Sequence, residues 1–268
     1  SNDIGGYTDR QTGFLQTGLP PAYKMADTPL LIEALAGTHK FAIKIGGGNW
    51  LEYNFTLLEN NISVIDQPIG SVYSASKLFD GKTATGKNGK PYIDSKVLVI
   101  DGGFGTLDVF SITNRGIDAT NTFNDLGMKA ILEKTSQDIM QLYGKEIPVY
   151  AMQKFLREGK INSFNRKNRS SEEKDISELL KKNTLEVCKK AITRIETAYN
   201  YLEDYDYLLV TGGTGEAWLD FIKERYSQME SLEIITGNQN VKGDEMRLSN
   251  TYSNARGYYI FRTLKTLG

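Results

Sequence analysis

Val97-Leu98-Val99-Ile100-Asp101-Gly102-Gly103-Phe104-Gly105-Thr106-Leu107-Asp108-Val109 carries more information than any other part of the chain. An apolar, β-branched run leads into an aspartate, then a glycine-rich turn, then a threonine and a second aspartate. The pattern predicts a buried strand ending in a carboxylate, with strands over Val97 to Ile100 and Leu107 to Thr113 on either side of the turn. Such a turn suits a metal-bound phosphate: glycine lets the backbone approach an anion, and the aspartate can hold Mg²⁺ through water. The same letters also suit an ordinary Asp-Gly hairpin, so this run does not decide alone.

A second run, Tyr207-Leu208-Leu209-Val210-Thr211-Gly212-Gly213-Thr214-Gly215-Glu216-Ala217-Trp218, repeats the arrangement of apolar strand and glycine-rich turn. A helix is expected from Ala217 to Tyr226, with Trp218, Leu219 and Ile222 on its apolar face. Strand, glycine turn and helix N-terminus together make an anion site. The run is neither a Walker loop nor a dinucleotide fingerprint, since no Gly-Lys-Ser/Thr follows and no Gly-x-Gly-x-x-Gly opens a unit of the right shape. Two such turns, far apart in sequence, are read as half-sites facing one nucleotide across a cleft.

Composition narrows the class. The chain has 268 residues, a formal net charge of −1 and 40% hydrophobic content, enough for one large core or two smaller ones. A near-zero charge gives no electrostatic case for direct nucleic-acid or membrane binding. No apolar run approaches the roughly 20 residues of a membrane span. The single cysteine, Cys188, cannot form an internal disulfide, which fits a reducing cytoplasm. One histidine, His39, and no Cys/His cluster argue against a structural zinc site. Ser1-Asn2 reads as a scar of expression.

Along the chain, residues 1–20 read as polar, closing in a turn at Thr17-Gly18-Leu19-Pro20-Pro21, and Leu30 to Leu35 as a short helix. Lys40 to Ile45 and Leu51 to Leu57 form a hairpin around Gly46-Gly47-Gly48-Asn49, and Ile62 to Ile65 is a separate short strand. Ser71 to Phe79 is weakly helical. Helices follow over Asn124 to Tyr143, Val149 to Glu158 (closed by Gly159) and Ile176 to Glu203. Asn162 to Lys174, polar and basic, reads as a mobile surface loop. Leu232 to Ile235 is a late strand and Ser253 to Leu267 a closing helix.

Taken together, these motifs resemble the actin-like ATPases of the actin, heat-shock chaperone and sugar-kinase superfamily, and most of all the ParM-type plasmid-segregation actins. Asp101 to Asp108 is similar to the second phosphate motif and Val210 to Gly215 to the adenosine motif. Thr17 to Tyr23, Gln67-Pro68-Ile69-Gly70-Ser71-Val72-Tyr73 and Ser253-Asn254-Ala255-Arg256-Gly257-Tyr258-Tyr259 resemble three further segments. The resemblance implies an α/β fold with two RNase H-like domains flanking a nucleotide cleft. Domain I would be residues 1–94 plus 252–268, and domain II residues 95–251, with a helical subdomain at about 146–204. The family's opening strands and first phosphate motif have no counterpart: Asp3-Ile4-Gly5-Gly6-Tyr7 has suitable letters but no preceding apolar strand. The N-terminal region is therefore read as missing, by trimming rather than by nature.

The resemblance further implies ATP or GTP, or the ADP product, bound with Mg²⁺ and hydrolysed in step with filament assembly. Asp101 would hold the metal. Gly102, Gly103, Gly105 and Thr106 would hydrogen-bond the β- and γ-phosphates. Gly212, Gly213 and Thr214 would pack against ribose, α-phosphate and base, and Gln67 would orient the attacking water. Asp108 is read as fixing the turn, and the helix carrying Met152 to Arg157 as a candidate base contact. The implied partners are further copies of the chain and an adaptor protein bound to plasmid DNA, in the cytoplasm. Alternatives are a small-molecule, sugar-type kinase, which would want a substrate-side carboxylate as general base, and a non-hydrolysing structural homologue.

Overall fold

The computed structural model describes residues 12–77, 82–86, 89–165, 167–239 and 248–267. Asp3 to Tyr7 lie outside the described residues. The chain divides into two compact units, Ser1–Ser74 with Asn254–Gly268, and Ala75–Ser253. Residues 75–94, assigned from sequence to the first unit, belong to the second.

The first unit opens with β1 (Thr12–Leu19), α1 (Pro21–Leu35), β2 (Gly37–Lys44), β3 (Trp50–Asp66) and α2 (Gln67–Ser76). β3 is central: it pairs parallel with β1 and antiparallel with β2. The expected hairpin around Gly46 to Gly48 is present, but Ile62 to Ile65 is the continuation of β3 rather than a strand of its own. Two expectations are corrected. The segment ending in Thr17-Gly18-Leu19 is a strand, whose backbone pairs parallel with β3 from Thr12↔Thr56 to Leu19↔Asp66. α1 begins at Pro21 and runs through Pro29 instead of starting after it. A proline at the first helical position costs nothing, and the Thr28 hydroxyl bonds the Lys24 carbonyl at 2.5 Å in the turn where Pro29 lies.

The second unit is built on a mixed five-stranded sheet. Its elements are β4 (Val97–Gly102), β5 (Leu107–Thr113), β6 (Gly116–Phe123), α3 (Met128–Tyr143), α4 (Val149–Glu158), β7 (Lys160–Asn165), β8 (Ser170–Asp175), α5 (Ser177–Ala198), β9 (Tyr207–Thr211), α6 (Gly212–Arg225) and β10 (Glu233–Thr236). The sheet order is β10-β9-β4-β5-β6; β4, β5 and β6 form an antiparallel meander, and β9 and β10 run parallel to β4. β4 and β9 are buried along their whole length, which explains their unbroken apolar runs. Leu98, Ile100, Val109, Leu208 and Val210 pack against Ala191, Ile192 and Ile195 of α5 and Trp218 and Ile222 of α6. Each such side chain contributes roughly 1.5–3 kcal/mol through burial.

A smaller core of Leu132, Ile139, Ile147, Met152, Ile161, Ile176 and Leu180 ties α3, α4, β7 and the start of α5 together. Met152 is fully buried in it, so it is a core residue and not a base contact. Residues Asn162 to Lys174 are not a loop: β7 and β8 pair antiparallel from Lys160↔Asp175 to Asn165↔Ser170. Ile161 anchors the hairpin in the core, and Lys160 meets Glu173 across it at 2.7 Å. β6 is an exposed edge strand; its alternation of Ile117, Ala119 and Phe123 with Asp118, Thr120 and Thr122 is broken by Asn121 and too weak to mark it in the sequence.

α7 (Ser253–Leu267) closes the chain and belongs, from Asn254 on, to the first unit. It meets α2 backbone to backbone. A side chain at Gly257 would overlap the Gly70 carbonyl group, and one at Gly70 would come within 2.8 Å of the Asn254 carbonyl oxygen. Ser71 donates to Asn254 Oδ1 at 2.5 Å, and Arg256 reaches Ser74 Oγ at 3.0 Å. Gly18 of β1 lies under Tyr258, 2.7 Å from its ring carbon Cζ to the position a side chain would take. The three further segments of the resemblance are thus one packing unit.

Candidate functional site

The carboxyl ends of β4 and β9 lie side by side, with Asp101 paired to Thr211. Registers continue the row across the sheet: Asp101 opposite Asp108 of β5, and Asp108 opposite Thr122 of β6. Paired residues share a face, so Thr211, Asp101, Asp108 and Thr122 form a polar row at the sheet's edge. Asp108 is held by two hydroxyls, Thr106 at 2.9 Å and Thr122 at 2.6 Å. It fixes the turn, as the sequence reading has it. Asp101 is buried, with 7% of its surface exposed.

The two glycine-rich turns do not stand on opposite walls. They abut on neighbouring strands of one sheet, a correction forced by the parallel pairing of β4 and β9. α6 starts at Gly212 itself, so the glycines are its first turn rather than a loop before Ala217. Gly212 has φ +78°, and a side chain there would overlap the Gly102 carbonyl oxygen and come within 2.7 Å of Asp101 Oδ1. Only glycine lets the helix begin so close to the carboxylate. Gly102 is equally confined: its Cβ would lie 2.5 Å from the Gly215 amide nitrogen. The Thr214 hydroxyl donates to the Gly103 carbonyl at 2.7 Å, pinning the two turns together.

A third element, α3, expected from Asn124 but starting at Met128, holds the β4–β5 turn from the other side. The first amides of α3 donate to it, Met128 N–H to Gly103 O at 3.1 Å and Lys129 N–H to Phe104 O at 2.7 Å. Gly127 permits the approach, since a Cβ there would sit 2.6 Å from the Phe104 carbonyl oxygen. The loop before Gly127 is anchored by Asp125, which Lys190 (2.7 Å) and Arg194 (2.6 Å) of α5 bracket. Those two hydrogen-bonded cations lower its pKa to about 2.

The glycines separate into two groups. Gly102, Gly127 and Gly212 are fixed by packing. Gly105 and Gly213 face space: nothing lies within 4 Å of a Cβ at Gly105, and only the Thr251 hydroxyl, at 3.5 Å, meets one at Gly213. The N-terminus of α6 has no side-chain cap; the Thr211 hydroxyl turns to the Asn250 carbonyl at 3.5 Å. Its first-turn amides, open glycine surface and positive dipole end fit an anion.

A metal fits in a limited way. Among the described residues no group of three or more His, Cys, Asp or Glu side chains is placed to hold one. One buried carboxylate beside an anion site is the donor set of a Mg²⁺ held mostly by phosphate and water. Gln67 belongs to the first unit, as the half-buried first residue of α2. All the other candidate residues, Asp101, Gly102, Gly103, Gly105, Thr106, Gly212, Gly213 and Thr214, gather at this one edge of the second.

No family model matches the chain, and no curated protein does. Solved structures do. A non-polymerisable quadruple mutant of pCBH ParM superposes with a TM-score of 0.64 at 18% identity, over 92% of this chain and 67% of that one. The Alp12 filament structure gives 0.60 at 17%, over 94% and 68%. An archaeal actin homologue, Ta0583, in complex with ADP gives 0.61 at 15%, over 93% and 71%. The fold is therefore actin-like. The ParM structure and the archaeal actin homologue share that fold and match the chain about equally well. The chain spans about two thirds of the length of the structures it matches.

Proposed function

We propose that this chain is the nucleotide-binding part of an actin-like filament protein that binds ATP or GTP with Mg²⁺ and hydrolyses it as it assembles. The single observation that supports this reading is the shared edge of β4 and β9. There an uncapped helix N-terminus, a glycine turn and a buried aspartate converge, and every close approach is permitted by a glycine. Bound Mg²⁺ would neutralise phosphate charge at Asp101. The amides of Gly213 and Thr214 would receive phosphate oxygens, as would the Gly103–Thr106 turn. Thr214 and Met128 would keep the turn rigid, so little ordering is left to binding. Gln67, a neutral amide, would orient water without acting as a strong base, in keeping with slow hydrolysis. Polymerisation with further copies, an adaptor carrying plasmid DNA, and a cytoplasmic setting belong to the same proposal; the actin-like fold and the filament structure among the similar proteins support it. No helix among the described residues is long and apolar enough to cross a membrane.

Calorimetric titration with Mg·ATP and Mg·GTP, with light scattering followed in parallel and no sugar present, tests it. Binding that falls at least about tenfold in Gly213→Val and in Asp101→Ala, with thermal unfolding of Gly213→Val unchanged, is the expected result. Nucleotide-triggered scattering supports the filament reading. A folded chain that binds neither nucleotide, or a Gly213→Val variant that binds as well as the parent, overturns the site.

A further inference from the structure

Glu216 lies on the open face of the proposed nucleotide site and has no role in the reading above, on which this inference rests. It sits three residues after Gly213 on α6, so both occupy one face of the helix, and both are exposed. One helical turn, about 5 Å, separates them. Beside that face stands a 3-10 turn, Asn250–Tyr252. The Ser249 hydroxyl donates to Glu216 Oε2 at 3.0 Å and lies 3.2 Å from the Thr251 hydroxyl, which in turn faces Gly213. This turn is not a loose neighbour. Asn250 is buried and donates to the Val210 carbonyl of β9 at 2.8 Å, and Ser253 donates to its Oδ1 at 2.8 Å. The carboxylate is therefore held in place by a strut that ends on the site's own strand.

We infer that Glu216 reads the nucleoside end of the nucleotide, accepting a pair of adjacent hydrogen-bond donors. A carboxylate only accepts and repels phosphate, so at one turn from the anion end it can serve only the far part of the ligand. Two nucleoside groups offer paired donors at the spacing of two carboxylate oxygens: the ribose 2′,3′-diol, and the N1–H and N2–H edge of guanine. Adenine's edge alternates donor and acceptor and fits poorly. Ser249 orients the carboxylate, and Thr251 adds a hydroxyl on the same side.

The test compares Mg·ATP, Mg·GTP, Mg·2′-deoxy-ATP and Mg·2′-deoxy-GTP by calorimetry on the parent chain and on Glu216→Gln, which keeps the shape but turns one acceptor into a donor. Circular dichroism melting should give the parent's transition for this exposed substitution. The parent chain should prefer one member of a pair by about tenfold, the worth of a charge-assisted hydrogen bond. The variant should bring that ratio close to one. Collapse of the ribose-to-deoxyribose ratio supports the inference with the diol as the group read; collapse of the guanine-to-adenine ratio supports it with the base. A parent chain without either preference, or a variant that keeps the parent's ratios, overturns it while the nucleotide site stands. A folded parent chain that binds none of the four overturns the site and this inference together.

Discussion

Cys188 is one of the most confined side chains in the second unit. It is 1% exposed, packed among the α5 residues that face the sheet, and burial pushes its thiol up to about 12. A thiol so far above neutral pH holds almost no thiolate, the reactive form. The native chain at pH 7.5 should take up no Ellman's reagent on the minute scale, and one equivalent when unfolded in guanidinium. Fast reaction of the folded chain would mean that α5 does not pack as described. Asp125 is the opposite case, an exposed carboxylate whose partners matter. Folding lowers its pKa from 3.8 to about 2, so the folded chain takes up that proton less readily than the unfolded one. Its contribution is complete above about pH 4 and fades as pH falls towards 2. Solvent screening limits it to less than about 1 kcal/mol. Asp125→Asn should therefore lower the melting temperature modestly at pH 7 and leave it unchanged near pH 2. An equal loss at both pH values would show that the two cations do not act through its charge.

Elements show why some of the structure could be read from sequence and some could not. β4, β9, α6 and the Gly46–Gly48 hairpin were legible because burial on both faces, helical spacing and glycine turns leave local marks. The β7–β8 hairpin was not, because its strands are polar and its one anchor, Ile161, looks like any isolated apolar residue. β6 was hidden because its alternation of Ile117, Ala119 and Phe123 is short and broken by Asn121. At the site, the letters of Asp101 to Asp108 and Thr211 to Gly215 were legible. Their adjacency was not, because strand order is a property of the whole sheet. Nor was the grip of α3 on the turn, which depends on Gly127 touching a carbonyl far from it in sequence. The α2–α7 crossing joins two segments that the sequence offers only as separate helices; Gly70 and Gly257 are there for contact. Gly257→Ala places a methyl group against the Gly70 carbonyl and should cost about 1–3 kcal/mol, as overpacked sites do. Chemical denaturation would show it as a lower midpoint. An unchanged midpoint would mean that the helices separate without penalty.

The two units differ sharply in how much apolar surface they bury. In the second, β4, β9, α5 and α6 share a core in which Trp218, Leu208, Leu98 and Ile100 are almost wholly enclosed. In the first, Leu57, Ile62 and Val72 are buried, whereas Phe14, Met25, Leu30 and Trp50 are each more than 60% exposed, and α1 buries none of its described residues. Hydrophobic burial is the main favourable term in folding and scales with area removed from water, so the first unit is held by far less of it. A single cooperative transition is expected only where one core spans the chain. Here two are expected: an early step that loses the first unit and a later one that melts the five-stranded sheet. Scanning calorimetry should resolve them, and residues 75–253 expressed alone should keep the later step. The α2–α7 contact belongs to the first unit, so Gly257→Ala should move only the early step. Gly102→Ala, which crowds the Gly215 amide between β4 and α6, should move only the late one. One transition, shifted equally by both substitutions, would show that the two units fold as a single body.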